Sequence, residues 1–176
     1  YLKYGTVSKS GVTSSGGTVS GTGAASIQIG GFVGEFARGT ISQSYSTAPA
    51  SGVQFVGGFA GSVSDNGVAS ATFSITDSFA RGSATGTDYI GGFTGQYYDS
   101  QNAGSKIEHS YATGQVTGTS ASKAFVSYVP WVVAIINCFY DSQTAGQVDT
   151  YAVARTTVQL QQQGTYRLWD FDFEAK

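Results

Sequence analysis

Few side chains in this sequence have types that could catalyse a reaction. His109 is the only histidine and Cys138 the only cysteine among 176 residues. One histidine cannot build a two-histidine metal site, and we see no Ser-His-Asp or Cys-His arrangement. His109 takes the place of Gln43 and Asp77 in a recurring phrase, which indicates a stacked polar column. Cys138 has no evident basic neighbour to lower its pKa, so we interpret it as a packed small residue.

Carboxylates are the other candidates, because polysaccharide hydrolases use two facing acids. Asp77 lies in the recurring phrase, whereas four others lie in spacers or turns: Asp65, Asp88, Asp99 and Asp141. These acids do not recur at one position in successive copies, so the sequence brings no pair together. We therefore predict a protein that is not an enzyme, with no catalytic residue, cofactor or metal site.

Two further segments match each other, namely Tyr98–Gly104 (YDSQNAG) and Tyr140–Gly146 (YDSQTAG). Asp, Ser and Asn followed by Gly favour tight turns, which is our interpretation. A calcium loop is the alternative, although it would offer few carboxylates. The glycine-rich segments are not phosphate loops, since no Lys-Ser/Thr pair and no helix follow them.

An internal repeat of three phrases sets the positions of these residues. The phrase GGFxG occupies 30–34, 57–61 and 91–95, and IxxS[YF] occupies 41–45, 75–79 and 107–111. The phrase GxVxGT or a close variant occupies 17–22, 82–87 and 114–119. The phrases stay fixed while the spacer between the first two varies in length. A solenoid permits such variation, because an insertion can bulge outward from one face.

The apolar runs are short, β-branched or aromatic, and bounded by glycine, which favours stacked strands about 4.8 Å apart. We predict an all-β, right-handed parallel β-helix (β-solenoid) of about four irregular rungs, with a C-terminal cap containing a short helix. The predicted parts are solenoid repeats over 1–146 and a cap over 147–176. The repeats are a partial copy at 1–27, then 28–54, 55–88, 89–120 and a degenerate copy at 121–146.

Stacking predicts structural ladders of like residues, with paired glycines at corners. The main ladders are Phe32, Phe59 and Phe93; Ile41, Ile75 and Ile107; and Tyr45, Phe79 and Tyr111, with a further one of Val19, Ala84 and Val116. Strict alternation places Gln43, Asp77 and His109 on the Ile and Tyr/Phe face, and Ser44, Ser78 and Ser110 on the other. We expect the Ile face to point inward.

The C-terminal part departs from the repeat. Residues 135–140 fit the second phrase with Cys138 in the serine column, but 125–129 replace GGFxG. A helix is predicted over Val153–Gln163, with Gly164 as its C-cap and Val153, Thr157 and Leu160 on its inner face. Residues 169–173 alternate aromatic and acidic types, which predicts a final strand.

Composition narrows the function classes. Only 11% of the residues are charged and the net charge is −2, so nucleic-acid binding is not expected. No apolar run could insert into a membrane. Abundant Ser, Thr, Gly and Tyr favour an extracellular or cell-surface location. The chain begins at Tyr1 and contains no Met, from which we expect a mature or excised segment, with a leader and further repeats outside it.

The paired phrases resemble the GLUG motif, a short glycine-rich repeat of bacterial secreted and surface proteins, including adhesins and immunoglobulin A peptidases. The resemblance covers Ile27–Gly118 well. It extends over 137–146 and 154–172, which are similar to the segment that often closes such arrays. It implies a β-helix-like stalk in a large secreted or surface-anchored protein. It implies no catalytic residues, because the repeats of the peptidases stand apart from the protease domain.

These observations predict a non-catalytic structural or adhesive module of a surface or secreted protein. We expect self-association or contact with neighbouring repeats, with a filament as one form, and a host-surface or glycan ligand. Tyr97 and Tyr98 lie in a variable spacer and are expected to face solvent, so they are the predicted ligand contacts. Three alternatives stay open: a glycan-binding module, a polysaccharide-acting β-helix enzyme, and ice binding, for which regular Thr ladders are lacking.

Overall fold

The computed structural model describes residues 2–23, 27–65, 67–68, 71–100, 104–131, 133–167 and 169. It is a parallel β-solenoid of about four turns in which each coil gives one strand to each of five sheets, so the predicted solenoid architecture is confirmed. Coil 1 contains β1 (Thr6–Ser8), β2 (Gly11–Val12), β3 (Val19–Ser20), β4 (Ile27–Gly30) and β5 (Val33–Phe36). Coil 2 contains β6 (Gly39–Ser42), β7 (Tyr45–Ser46), β8 (Ala50–Ser51), β9 (Gln54–Gly57) and β10 (Ala60–Ser64).

Coils 3 and 4 repeat this order. Coil 3 contains β11 (Phe73–Thr76), β12 (Phe79–Ala80), β13 (Ala84–Gly86), β14 (Asp88–Gly91) and β15 (Thr94–Tyr98). Coil 4 contains β16 (Lys106–Glu108), β17 (Tyr111–Ala112), β18 (Val116–Gly118), β19 (Ser122–Lys123) and β20 (Val126–Tyr128). The chain then adds β21 (Ile135–Ile136), β22 (Phe139–Asp141) and β23 (Val153–Arg155).

We number the sheets by their first strand. Sheet I consists of β1, β6, β11, β16 and β21, and sheet II of β2, β7, β12, β17, β22 and β23. Sheet III consists of β3, β8, β13 and β18, sheet IV of β4, β9, β14 and β19, and sheet V of β5, β10, β15 and β20. The second phrase of the repeat therefore spans sheets I and II.

The interior is built from columns of like residues. Ile41 pairs with Ile75 and Ile75 with Ile107 in parallel register, and all three side chains are fully buried. The rings of Phe32, Phe59 and Phe93 stack at centroid distances of 4.7 and 4.8 Å. Each column places an apolar side chain against its equivalent in the next coil, so burial grows with every coil that is added.

The phenylalanine column continues one coil further than the GGFxG phrase. Phe125 stacks on Phe93 at 4.8 Å and is fully buried. Lys123 pairs with Gly91 and Val126 with Thr94, so residues 123–127, and not 125–129 as expected, occupy the positions of the phrase. The phenylalanine column therefore continues into coil 4, although Lys123 and Ala124 replace the two glycines that precede the phenylalanine in the phrase.

A smaller second core lies between sheets III and IV. It contains Ala50, Val56, Ala84, Ile90 and Val116, with Ile29 packed against it. Val19 pairs with Ala50 in the same column but is 40% exposed, because it belongs to the first coil.

Strict alternation fails in the second phrase. Gln43, Asp77 and His109 have φ of 48°, 50° and 49°, which is the left-handed region. This bend turns both the Ile column and the serine column inward, and Ser44, Ser78 and Ser110 are at most 1% exposed. Tyr45, Phe79 and Tyr111 point outward and are only partly buried. The prediction that the Ile and Tyr/Phe columns share a face is therefore wrong, while the inward Ile column is confirmed.

Close backbone contact explains the paired glycines. A Cβ on Gly57 would lie 2.0 Å from the Ala60 carbonyl oxygen, and one on Gly58 would lie 2.4 Å from the Gly92 carbonyl oxygen. No side chain fits these corners without moving the backbone.

The C-terminal segment differs from its prediction. Val153 lies in β23 and is 47% exposed, so it is not on a helix. The α-helix covers only Thr157–Leu160 and buries none of its residues, and Gly164 lies within a 3₁₀ helix over Gln163–Tyr166. Thr156 caps the α-helix, because its side chain accepts a hydrogen bond from the Gln159 amide. Apart from Trp169, the predicted final strand lies outside the described residues.

Asp149 closes sheet V at its C-terminal end. In coils 2 and 3 the amide of each column phenylalanine donates to the phenylalanine carbonyl of the next coil, for example Phe93 to Phe125 at 2.8 Å. Phe125 and Val126 donate instead to Asp149 Oδ2, at 3.0 and 2.9 Å. The carboxylate thus replaces the carbonyl that a further coil would supply.

Candidate functional site

Three of the candidate carboxylates are engaged in turns. Asp65, Asp99 and Asp141 are at most 2% exposed. Asp65 Oδ1 accepts from the Gly67 amide at 2.9 Å, and Asp99 Oδ2 accepts from the Ser105 amide at 3.2 Å. These contacts fix the geometry of the two spacers, as expected for acids in tight turns.

Asp141 has a similar structural position near the C-terminal helix. Its Oδ1 accepts from the Gln143 amide at 2.9 Å, and its Oδ2 accepts from Thr157 Oγ1 at 2.7 Å. The carboxylate therefore joins the turn after β22 to the first turn of the helix.

The two predicted ligand contacts differ in exposure. Tyr97 is 1% exposed, and its hydroxyl donates to the Ser105 carbonyl at 2.5 Å. Burial raises its pKa well above the usual value. The expectation that Tyr97 faces solvent is wrong, because it aligns with Val63 in an inward column. Tyr98 is partly exposed, and its role as a ligand contact stays a prediction.

His109 lies in a polar column on the outside of sheets I and II. Its Nδ1 is 3.6 Å from Asp77 Oδ1, and its Nε2 is 3.9 Å from Glu108 Oε1. Lys106 Nζ lies 2.5 Å from the other Glu108 oxygen, and the hydrogen bond lowers the pKa of Glu108. This surface group joins neighbouring coils, as expected for a stacked column.

Cys138 ends the inward serine column. Ser44 and Ser78 donate backbone amides to the hydroxyl of the next serine, at 3.2 and 3.3 Å. Cys138 Sγ donates to the Ile136 carbonyl at 3.4 Å. Cys138 is 1% exposed, and burial raises the pKa of its thiol to about 12, which disfavours the reactive thiolate.

The outward column of sheet II forms an aromatic strip of Tyr45, Phe79, Tyr111 and Phe139. Tyr45 stacks on Phe79 and Phe79 on Tyr111, each at 5.1 Å. Because stacked neighbours cover the ring faces, the strip presents ring edges and hydroxyl groups to solvent. A sugar ring stacks on a free aromatic face, so the middle of the strip is a poor binding site for a sugar.

The C-terminal segment crosses the last two rings of this strip. Trp169 stacks on Phe139 at 5.5 Å with parallel planes and lies 5.8 Å from His109. Tyr166 packs against Phe139 at 6.0 Å and lies 5.9 Å from Tyr111. These contacts leave Tyr45 and Phe79 as the half of the strip that Trp169 and Tyr166 do not contact in the described part of the chain.

A cavity of about 490 Å³ lies between sheets I and II and the C-terminal segment. Its walls include Ile135, Phe139, Tyr151 and Val153, together with Trp169. The polar lining includes Asn137, Arg155, Thr165 and Arg167. The volume lies in the range of about 300–1,000 Å³ that is usual for small-molecule sites, so this cavity is a candidate site.

The sequence analysis did not identify this cavity. Part of its lining, Ile135 to Phe139, belongs to the degenerate copy of the second phrase, and the rest lies outside the three phrases. None of the expectations for these residues concerned a ligand. Two arginines in the segment that closes the array were the available signal.

Within the described ranges, no group of three or more His, Cys, Asp or Glu side chains could hold a metal ion. No described helix has the length and apolarity to cross a bilayer.

No family model matches the chain, no curated protein matches it, and no solved structure matches it. The GLUG resemblance therefore stays a prediction, and functional inference rests on the geometry of the chain.

Proposed function

We propose that this chain is a non-catalytic structural and adhesive module of a secreted or cell-surface protein. The observation that carries the proposal is that the repeated phrases supply the side chains that pack between coils. The Ile and Ser columns of the second phrase and the Phe column of the first are buried between coils, and only the Phe32 end of the last is partly exposed. Residues that recur in this chain thus hold coil to coil and build a scaffold.

The position of the acids supports the non-catalytic part of the proposal. A glycosidase needs one acid to protonate the leaving group and a second to act as base or nucleophile. The buried carboxylates of Asp65, Asp99 and Asp141 accept hydrogen bonds from their own turns instead. Asp77 is paired with His109 on the outside of the solenoid.

The two ends of the solenoid suggest how the module joins other chains. Strands β1 to β4 are the first strands of sheets I to IV and form an open edge. At the other end, Asp149 and β23 cover sheets V and II. A head-to-tail filament of copies would need both ends open. We therefore propose that contact with neighbouring repeats is made at the edge of β1 to β4, which no described strand covers.

Protease resistance tests the scaffold proposal. The purified chain is incubated with proteinase K under native conditions, beside a Phe93→Ala variant that interrupts the Phe column. We expect a stable wild-type fragment spanning coils 2 to 4, and rapid digestion of the variant. Wild type that is digested throughout its coils as fast as the variant would count against a scaffold role.

A further inference from the structure

Two arginines at the C-terminal cavity have no counter-charge among the described residues. Arg155 and Arg167 both line it, and neither forms a salt bridge with any described residue. The described lining contains no Asp or Glu. Guanidinium groups favour paired hydrogen bonds to planar anions such as carboxylates, so the cavity is suited to a negative ligand.

Arg155 is held in place before any ligand arrives. Its guanidinium carbon lies 5.1 Å from the centroid of the Phe139 ring. Its Nη1 donates to the Ala154 carbonyl at 3.2 Å. Both contacts restrict the side chain and leave its other N–H groups available, which lowers the entropy lost on binding.

The other residues that line the cavity are suited to a ligand with a ring and hydroxyl groups. Trp169 and Phe139 stack in parallel at 5.5 Å and provide an apolar wall. Thr165 uses its hydroxyl proton toward the Gln159 carbonyl, so its oxygen can still accept a hydrogen bond. Asn137, whose Nδ2 lies 3.4 Å from His109 Nε2, supplies a carbonyl oxygen as a further acceptor.

We propose that this cavity binds a carboxylated sugar residue, with Arg155 and Arg167 holding the carboxylate and the ring edges of Phe139 and Trp169, whose faces stack on each other, lying beside the sugar ring. The inference rests on the proposed adhesive function and names its ligand class. An ordinary neutral sugar lacks the carboxylate, and a simple carboxylic acid lacks the ring and hydroxyl groups. The site should therefore prefer the combination of both.

Trp169 gives a direct signal from the cavity. The chain has two tryptophans, and Trp131 is 54% exposed and is not in the cavity lining. A full-length Trp131→Phe variant therefore leaves Trp169 as its single tryptophan. Its fluorescence is followed during titration with D-glucuronic acid. D-Glucose is the matched neutral sugar, and sodium acetate is the matched simple carboxylate.

We expect a saturable fluorescence change with glucuronic acid and none at the same concentrations of glucose or acetate. Arg155→Gln and Arg167→Gln should each weaken binding about tenfold or more, since each removes a charged hydrogen bond. Arg81→Gln is the control. The Arg81 guanidinium lies 5.1 Å from the Phe79 ring centroid, as Arg155 does from Phe139, but it lies outside the cavity, so binding should be unchanged.

Four results would overturn the proposal. They are no saturable fluorescence change in the wild type, an equal response to acetate, an equal response to glucose, or unchanged binding in a variant that carries both Arg155→Gln and Arg167→Gln. A full-length variant with Asp170→Asn, Asp172→Asn and Glu174→Gln provides a further arm. Binding seen only in that variant would assign the arginines to the acidic C-terminal residues, which also overturns the proposal. Failure here leaves the protease result untouched, so the scaffold proposal is tested separately.

Discussion

The phenylalanine column ends differently at the two ends of the solenoid. At the closed end, Phe125 is fully buried, and its amide donates to Asp149 Oδ2 at 3.0 Å. At the open edge, Phe32 is only partly buried and stacks on Phe59 alone among the described rings. The same residue type in the same column thus has a completed environment at one end and a half-completed one at the other.

This difference shows what a single coil lacks. A coil buries its side chains only when coils lie on both sides, and its edge amides need an acceptor from the next coil. At the closed end, the C-terminal segment covers side chains of the last coil. The Asp149 carboxylate accepts the hydrogen bonds of its edge amides. No such substitutes cover β1 to β4 within the part of the chain that the structure describes.

The largest effect should come from removing a ring at the closed end. Phe125→Ala should lower the free energy of unfolding by about 3–5 kcal/mol, because it opens a cavity in a packed core. Phe32→Ala should cost about 1–2 kcal/mol, since part of its ring is already in water. Urea denaturation followed by circular dichroism compares them. Equal losses would show that the open edge is covered in solution.

The sequence predicts this column well but not its ends. Copies of GGFxG define the register of Phe32, Phe59 and Phe93, because identical phrases stack in a solenoid. The phrase does not predict Phe125, because Lys123 and Ala124 replace the two glycines that precede the phenylalanine in the other copies. Asp149 occurs once, so repetition could not reveal that its carboxylate replaces a carbonyl.

The outward and inward columns of the second phrase were harder to assign for a different reason. Alternation assumes extended backbone throughout, but Asp77 and His109 adopt positive φ. Asp, Asn and His enter this region more readily than most residues, so a column of Asp77, His109 and Asn137 carried the signal. Tyr97 was misassigned because its spacer was expected to be an exposed loop, whereas β15 extends to Tyr98 and keeps the register set by Gly57 and Gly91.

Removing the carboxylate of Asp149 should have the second largest effect. Asp149→Ala leaves the amides of Phe125 and Val126 without an acceptor, and we expect a loss of about 2–4 kcal/mol in the free energy of unfolding. Asp149→Asn keeps one carbonyl oxygen, so its loss should be smaller. Hydrogen exchange at the Phe125 and Val126 amides locates the effect. Protection unchanged in Asp149→Ala would refute the assigned closing role.

The thiol of Cys138 reports on the same end by its reactivity. It is 1% exposed, and burial raises its pKa to about 12. We expect no reaction with Ellman's reagent at pH 8 in native wild type, and full reaction in urea. Asp149→Ala should react faster than wild type because its last coil opens more often. A thiol that reacts at once in the native wild type would contradict the packing described for the closed end.

Alkaline pH should loosen the packing of Tyr166 at the closed end. Burial raises the pKa of Tyr166 to about 12, with the neighbouring Tyr111 adding to the rise. An acid whose folded pKa is raised stabilises the fold below its unfolded pKa of about 10, and that contribution is lost as pH rises toward 12.

In the Trp131→Phe background, Trp169 fluorescence should therefore change between about pH 10 and 12. Tyr166→Phe removes the titrating hydroxyl, together with its hydrogen bond to the Leu160 carbonyl at 2.7 Å. The Trp169 fluorescence of this variant should lack that transition, although its C-terminal segment packs less firmly over Phe139 at neutral pH. An identical transition in both proteins would assign the change to another group. The C-terminal segment would then be held over Phe139 independently of the ionisation of Tyr166.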